Sequence, residues 1–555
     1  MDRLKVCRID GLFMLFAGIV FAKLVFFAWS AYRVIYISSF ITNHAAFWGW
    51  YMPKMAATIW LASIVYLIKD KRWWIVGSVI LDVWIIANLL YLRSYDMPLD
   101  AYAISMVGNM DGFWSSIIPL FNWSDILFPL LTIACFVVAQ IWNDTYRSWL
   151  KPIVFFTLAL ILNTGGKYLF IQSMYGHEWA IENTHVQCFN MQNRLDVYGI
   201  GNARVLRETS PFHTFWYSMC DLIAIQVNKG SYQLTDKERT EYAPLFSDEL
   251  CKSDMHLIII IVESFDSWVL TEEYMPHLSA FINHHPCFYA DKMKSQVRGG
   301  MSADGQLIID TGLLPVIEGA ACYRFPYNEY PGIMKSIKGK SMCILPHKKD
   351  VWNQGLMSRA YGYTETIELN EEDSILLEAI VKALRDGYQG VQMITLSTHT
   401  PYNSVNNRSS LKLPAGYNEI TKNYIRSFNY FDSQLKYFLD LIDKDTTLSR
   451  STIMITGDHA APYPIEKAYC PFIIYSPNIT SPIRYSDECY QMDIYPTIMS
   501  VIGATGEWLG GGMNLIDPSK KRLFTEEEMY EMSDKLIRAN YFSIPIEKRI
   551  CPNCQ

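Results

Sequence analysis

The hydrophobic positions of this chain fall into two regimes. Before residue 170 they form five apolar stretches, Gly11–Ile35, Met55–Ile68, Trp73–Leu92, Ile126–Trp142 and Pro152–Phe170. A spanning helix needs about 20 mostly apolar residues, so each stretch predicts a transmembrane helix, the second and fourth borrowing flanking residues. The first is too long for a signal peptide and has no small-residue cleavage site. From about residue 255 the pattern changes. Short apolar runs at His256–Val262, Ser341–Leu345, Val391–Leu396, Ser451–Thr456 and Pro471–Tyr475 predict strands, and Ser374–Arg385 and Tyr417–Ile442 predict helices. Continuous apolar runs suit strands covered on both faces. The expected architecture is an N-terminal five-helix transmembrane bundle plus a C-terminal α/β domain, doubly wound, with a mostly parallel sheet and helices on both faces.

The expected domains are 1–170 for the membrane part, 171–250 for a partly helical connector, 251–520 for the α/β domain and 521–555 for a C-terminal tail. Gly165-Gly166 reads as the end of the fifth span. In the connector, Phe212, Phe215, Trp216 and Tyr217 read as residues lying along a membrane surface.

Charge orients the bundle. Arg3, Lys5 and Arg8 open the chain, Lys69, Lys71 and Arg72 separate the second and third spans, and Arg147 and Lys151 separate the fourth and fifth. The loops Ser38–Pro53 and Ser94–Trp123 contain no Lys or Arg. The basic loops share one side, which predicts a cytoplasmic N-terminus and an extracytoplasmic domain after residue 171. Lys23 and Asp82 fall inside predicted spans, about 14–18 Å from the cytoplasmic helix ends at ~1.5 Å per residue. They either pair at matched depth or separately snorkel and line a polar seam. Hydrophobic residues make up 50% of the chain and charged ones 19%, in keeping with a membrane protein. The net charge of −7 gives a nucleic-acid partner no electrostatic support. Twelve cysteines show no zinc-finger spacing, and Cys551-Pro-Asn-Cys554 has no matching second pair. They read as buried thiols or as a few disulfides in an oxidising compartment.

Candidate chemistry follows the strands. Glu263-Ser264 follows the first, Ser397-Thr398-His399 the third and Gly457-Asp458-His459 the fourth. In open parallel sheets ligands bind at the carboxyl ends of strands, so Glu263, His399, Asp458 and His459 are expected to converge. Each taken singly reads as an ordinary loop residue or helix cap. Together, Glu263, Asp458 and His459 offer two carboxylates and one imidazole. That set suits one divalent ion, with Mn²⁺ or Mg²⁺ favoured by the carboxylates and Zn²⁺ allowed by the imidazole.

The run Val297-Arg-Gly-Gly-Met-Ser302-Ala-Asp-Gly-Gln306 places a hydroxyl where a helix begins. Glycines permit a tight path there. The helix N-terminus and a nearby cation would both lower the serine pKa, making Ser302 a nucleophile. By local pattern alone, an N-cap serine is the simpler reading.

Residues 255–515 resemble the alkaline phosphatase/sulfatase superfamily, and most of all its lipoteichoic acid synthase-like branch. Gly300-Met-Ser302-Ala-Asp304-Gly-Gln306 is similar to the branch's Gly-x-Thr-Ser-Asp-x-Glu nucleophile motif, with serine for threonine. Val262-Glu263-Ser264, Gly457-Asp458-His459 and Leu396-Ser397-Thr398-His399-Thr400-Pro401 match its other motifs, and Gln491-Met-Asp-Ile-Tyr-Pro-Thr497 resembles a late segment. Trp352-Asn353-Gln354 stands where the branch has Trp-Asn-Arg, so a guanidinium phosphate clamp is lost.

The resemblance implies a sulfatase-like domain that takes a phosphoglycerol headgroup from a phospholipid donor, phosphatidylglycerol, through a covalent Ser302 intermediate. The acceptor is a glycan, polymer or lipid outside the cytoplasm. Glu263, Ser302, Asp458 and His459 would hold the metal, Mn²⁺ by preference. His399 would bind the phosphoryl group or protonate the leaving oxygen. Trp352, Asn353 and Gln354 would meet the headgroup. Phosphoethanolamine transfer is the nearest rival. A sulfate- or phosphate-ester hydrolase is another, although Thr480-Ser-Pro-Ile-Arg484 lacks the first residue of the formylglycine signal. A non-catalytic membrane scaffold with a degenerate domain is the remaining alternative.

Overall fold

The computed structural model describes residues 11–32, 36–68, 71–95, 118–141, 149–175 and 232–545. Excepted are short breaks at 318, 401, 406–407, 462–464, 466–467, 518 and 520; residues 99, 101, 177, 212 and 219 are described singly. The chain forms two compact units, one of residues 1–102 and 120–228 and the other of 103–119 and 229–555.

The first unit is built on helices α1 (Gly11–Tyr32), α2 (His44–Ala62), α3 (Lys71–Tyr95), α4 (Leu127–Ile141) and α5 (Leu150–Tyr175). Phe16, Val20, Leu24 and Phe27 recur at helical spacing on α1 and pack with Leu81, Ile85 and Leu89 of α3 and Phe128 of α4. Among the described residues, three helices can cross a membrane by length and composition, over Phe13–Ala31, Trp73–Arg93 and Leu150–Ser173, and Trp123–Val137 is a shorter apolar helix. The second expected span is displaced toward the N-terminus. Asn43 caps α2, its side chain accepting from Ala46 N at 3.0 Å. Lys54, which lies just before the expected second span, is accommodated within the helix. Its Nζ donates to Trp50 O at 3.0 Å and lies 3.5 Å from the Trp50 ring centroid.

Gly165-Gly166 does not end a helix, because α5 continues to Tyr175. These glycines serve packing instead. A Cβ on Gly166 would come within 2.5 Å of Pro53 Cδ, and one on Gly49 would overlap the Phe170 backbone. Small residues on both helices let α2 and α5 approach closely. The Lys23–Asp82 pairing is present. Lys23 Nζ donates to Asp82 Oδ1 at 2.6 Å and also to Thr132 Oγ1, whose hydroxyl donates to Asp82 Oδ2. All three side chains are buried and tie α1, α3 and α4 together. Arg93 makes a bidentate pair with Asp125 at 2.7 and 2.9 Å. The Phe212 ring packs at a tilt against Trp84, centroids 4.5 Å apart; Phe215, Trp216 and Tyr217 lie outside the described residues.

The second unit holds a nine-stranded sheet, ordered β4-β3-β5-β1-β6-β7-β2-β8, with β9 also pairing β2. The strands are β1 (Leu257–Val262), β2 (Cys287–Lys294), β3 (Lys340–Leu345), β4 (Glu365–Glu368), β5 (Tyr388–Ile394), β6 (Thr452–Gly457), β7 (Cys470–Tyr475), β8 (Ile483–Tyr485) and β9 (Cys489–Tyr490). Their pairings make the sheet mixed: β7 is antiparallel to both β6 and β2, and the others run one way. The Pro471–Tyr475 run is therefore the reversed strand. Burial on both faces gave it the same continuous apolar pattern as its parallel neighbours.

The principal helices are α6 (Pro276–His284), α7 (Ser302–Thr311), α8 (Gln354–Ala360), α9 (Asp373–Arg385), α10 (Glu419–Ile442), α11 (Ile494–Val501) and α12 (Glu526–Arg538). Ile258, Ile260, Val391, Met393, Ile453 and Ile455 face one side of the sheet and form one core with α6, α9 and α10. Gln392 points the opposite way and meets Asp310 of α7, so helices cover both faces. Helix α12, in the segment set apart as a tail, is tied in by Ser533 and Asp534, which accept from Leu314 N at 2.9 Å and Ile317 N at 3.1 Å. Among the described cysteines, Cys135, Cys251, Cys287, Cys322, Cys343, Cys470 and Cys489 are free thiols, so the disulfide alternative finds no pair there.

A buried polar ring lies between α7 and the sheet. The Tyr363 hydroxyl is 2.8 Å from Asp310 Oδ1 and 2.7 Å from Gln392 Oε1. Gln392 Nε2 faces Asp310 Oδ2 at 3.4 Å. One hydroxyl proton cannot serve two acceptors, so Asp310 must supply a second. Burial pushes the Asp310 carboxyl up to about 7, in agreement with that proton count.

Two predictions follow from this packing. Asp82→Leu strands the Lys23 charge and is expected to cost about 3–5 kcal/mol. The double variant K23M/D82L recovers most of that loss, as read from denaturation of the full-length protein in detergent. The second concerns pH. Folded Asp310 keeps its proton up to about 7, while the unfolded chain releases it near 3.8. Its contribution to stability is therefore full below pH 4 and lost as pH rises toward 7. Asp310→Asn should reduce the fall in stability across that window by up to about one proton's worth of slope; an unchanged slope would contradict the ring.

Candidate active site

Parallel strands deliver their carboxyl ends to one edge, and the predicted residues arrive there. Glu263 follows β1, Asp458 and His459 follow β6, and His399 lies five residues beyond the end of β5. Ser302 is the first residue of α7. Its Oγ lies 3.0 Å from Glu263 Oε2 and 3.3 Å from His459 Nε2. His459 Nε2 is 3.6 Å from Glu263 Oε1 and 3.5 Å from Asp458 Oδ2. Ligand atoms of Glu263, Asp458 and His459 all lie within 4.8 Å of one another, and the three residues are buried.

The chemistry of this set fits a cation. Asp458 Oδ2 is buried with no hydrogen-bond partner. Asp458 Oδ1 is already used, accepting from Ser264 N and His459 N, each at 2.8 Å. His459 Nδ1 lies 2.9 Å from Ala460 O, which assigns the N–H to Nδ1 and turns the Nε2 lone pair toward the carboxylates. Burial, and then the charge of Glu263, push Asp458 up to about 7. Burial works to lower His459, but Asp458 and Glu263 outweigh it and raise the imidazole pKa. Two carboxylates and an inward lone pair packed away from water are what a divalent ion relieves.

Local structure explains the positions. Thr395 Oγ1 accepts from Glu263 N at 3.0 Å and Thr398 Oγ1 donates to Glu263 O at 2.6 Å, fixing the backbone beneath the carboxylate. Asp304 Oδ2 accepts from Arg298 N and Gly300 N, both at 2.9 Å, which closes the loop before Ser302. Met301 takes the strained φ of 41° at the N-cap position, with no side-chain cap bond. Ser302 is thus not the cap, and its hydroxyl points to Glu263 and His459 instead. A Cβ on Gly305 would overlap the carbonyl of Asp458, so glycine lets α7 approach that loop. Gln491 Nε2 donates to Asp458 O at 2.5 Å while Gln491 Oε1 accepts from Gln296 N at 3.0 Å. The late motif therefore ties the loop of Asp458 and His459 to the segment leading into Ser302.

His399 Nδ1 is 2.7 Å from Thr400 O. Burial, helped by the His459 charge, lowers its pKa below the ordinary 6.5. Trp352, Asn353 and Gln354 follow β3 at the same end of the sheet. Trp352 and Asn353 are both left-handed, with φ of 52° and 50°. Asn353 Nδ2 donates to Cys322 O at 2.9 Å, and Trp352 packs 5.8 Å from the Tyr323 ring. Gln354 is only 2% exposed, and its Oε1 has no hydrogen-bond partner. The sequence reading missed His347, whose pKa is lowered by burial and by the neighbouring His399. His347 follows β3, so the strand-end rule that found Glu263 would have found it too. Nothing local in the sequence marks Thr395, Thr398 or Gln491 as supports.

The Lipoteichoic acid synthase N-terminal domain family matches residues 1–175, and the Sulfatase family matches residues 334–504. Lipoteichoic acid synthase 1 of Bacillus subtilis (strain 168) is 24% identical over 403 residues, covering 67% of this chain and 61% of the relative. The chain thus spans about three fifths of that relative's length. The lipoteichoic acid synthase of Staphylococcus saprophyticus is 21% identical over 443 residues, covering 72% of this chain and 65% of the relative. Among solved structures, lipoteichoic acid synthase LtaP from Listeria monocytogenes aligns with a TM-score of 0.47 at 17% identity, covering 56% of this chain and 98% of that one. With both its apolar N-terminal helices and its sulfatase-like sheet matched in sequence, this chain is a lipoteichoic acid synthase-like member of the alkaline phosphatase superfamily.

Proposed function

We propose that the protein transfers a phosphoglycerol headgroup from a membrane phospholipid, phosphatidylglycerol, to a glycan, polymer or lipid acceptor through a covalent Ser302 intermediate. The observation that carries this reading is the Ser302 hydroxyl, set at the start of α7 and 3.0 Å from Glu263 and 3.3 Å from His459. In this reading α1 to α5 all span the membrane, the basic loops are cytoplasmic, and the sulfatase-like domain works outside the cytoplasm beside its lipid donor. Glu263, Ser302, Asp458 and His459 would hold one divalent ion, which supplies charge stabilisation to the phosphoryl oxygens; two carboxylates favour Mn²⁺ or Mg²⁺.

The residues themselves divide the work. Ser302 attacks phosphorus as its alkoxide, the form in which it is later released; the Oγ–phosphorus bond forms and the bond to the diacylglycerol oxygen breaks in line. His399, carrying a proton once an anionic phosphoryl group lies beside it, gives that proton to the departing oxygen. In the second half-reaction neutral His399 takes the proton of the acceptor hydroxyl, which attacks phosphorus and releases Ser302. The Nδ1 contact with Thr400 O leaves Nε2 for both transfers. Trp352 and His347 would line the headgroup. Gln354 brings a neutral acceptor where the branch has arginine, and this gives phosphoethanolamine transfer a specific footing as the second reading.

Incubation of full-length protein with defined phospholipid vesicles and Mn²⁺ tests the proposal. Diacylglycerol should appear, with a glycerophosphate mass on Ser302; a phosphoethanolamine mass would select the second reading. Ser302→Ala should abolish the adduct, and persistence of headgroup release in that variant would refute the covalent route. Transfer to acceptor should fall on acidification, as His399 gains a proton and can no longer take one from the acceptor hydroxyl. His399→Gln should remove that limb and slow turnover by about 10²–10⁴-fold.

A further inference from the structure

Asp266 is a buried carboxylate with no part in the chemistry above. It lies three residues beyond Glu263 and is 0% exposed. Its Oδ1 accepts from Ala461 N at 2.8 Å, two residues beyond His459. Its Oδ2 accepts from Trp268 Nε1 at 2.9 Å. Its own N–H donates to Tyr424 Oη at 3.0 Å, and Tyr424 in turn donates to Ser264 O at 2.8 Å. Trp268 stacks on Tyr424 at 5.2 Å. Asp266 therefore bridges the loop that carries Glu263 and the loop that carries Asp458 and His459. Thr395 and Thr398 hold Glu263, and Gln491 holds Asp458, each to other parts of the fold. The Asp266 carboxylate instead joins the two loops to each other beyond their ligands.

The residue type is informative. Two N–H donors converge on two separate oxygens, which only a carboxylate satisfies; an amide would set its own N–H against one of them. Burial pushes the Asp266 carboxyl up to about 7 even with its two N–H bonds in place, so the remaining cost of burying that charge is one that a divalent ion held nearby would offset.

We propose that Asp266 is a positioning residue that sets the spacing of the Glu263 and Asp458-His459 loops and thereby fixes the affinity for the divalent ion. The proposal rests on the metal reading of the site. Outer partners of this kind are worth about 10–100-fold in metal affinity.

The test is Mn²⁺ titration of metal-free full-length protein in detergent, with free Mn²⁺ followed by electron paramagnetic resonance. Asp266→Asn should weaken Mn²⁺ binding by about 10–100-fold and shift the Mn²⁺ dependence of headgroup transfer to higher concentration. The rate at saturating Mn²⁺ should largely recover, which a general loss of fold would not permit. Trp268→Phe, which leaves the Ala461 bond in place, should bind Mn²⁺ nearly as the parent does. Should Asp266→Asn not be recovered folded, Ala461→Pro deletes the same N–H bond and should show the same weakening. Equal affinity in parent and variant overturns this proposal alone. Absence of Mn²⁺ binding by the parent overturns the metal reading and this proposal with it.

Discussion

Burying two carboxylates against one imidazole is the constraint on which the catalytic unit depends. Left without a cation, Glu263 and Asp458 repel, and burial together with that repulsion pushes Asp458 up to about 7. Hydrogen bonds alone do not resolve it, since Asp458 Oδ2 has no donor. A positive charge between them would resolve it, and the same charge is what the proposed phosphoryl transfer needs. Structural demand and chemical demand thus fall on one point, within reach of the Ser302 hydroxyl.

Much of the surrounding fold exists to keep that point fixed. The loops beyond β1, β5 and β6 are irregular, so their backbones are pinned by side chains: Thr395 and Thr398 under Glu263, Gln491 under Asp458, Asp304 around the glycine turn. Backbone strain collects at the same edge, in Ser264, Met301, Trp352 and Asn353. Such strain persists where surrounding contacts over-determine it, and it marks places shaped for ligands.

The helical unit meets a parallel difficulty by different means. Three of its buried polar groups, Lys23, Asp82 and Thr132, satisfy one another. Its closest helix contact relies on absent side chains, with Gly49 and Gly166 facing Phe170 and Pro53. A glycine pair that looks like a helix terminus in the sequence therefore acts as a packing surface. The intrinsic cost of glycine in a helix, about 1 kcal/mol, is offset by the contact it permits.

The sequence by itself determined the two regimes of the chain, because hydrophobic periodicity follows directly from how a helix or a strand buries side chains. It located β1, β3, β5, β6 and β7 and the residues immediately beyond β1, β5 and β6, since a polar residue after a buried strand stands out. It also singled out Ser302, through the resemblance of its glycine-flanked run to a nucleophile motif, since the local pattern alone reads as an N-cap. Edge strands β4, β8 and β9 are short and half polar, so they left little periodic signal. The reversed direction of β7 left none, because burial on both faces looks the same whichever way a strand runs. Only the tertiary structure decided that Asp266, Thr395 and Gln491 serve the site, that Asp310 holds a proton, and that Lys23 meets Asp82. Each of these depends on a partner distant in sequence, and a partner's distance in space is set by packing, not by the residues on either side of it.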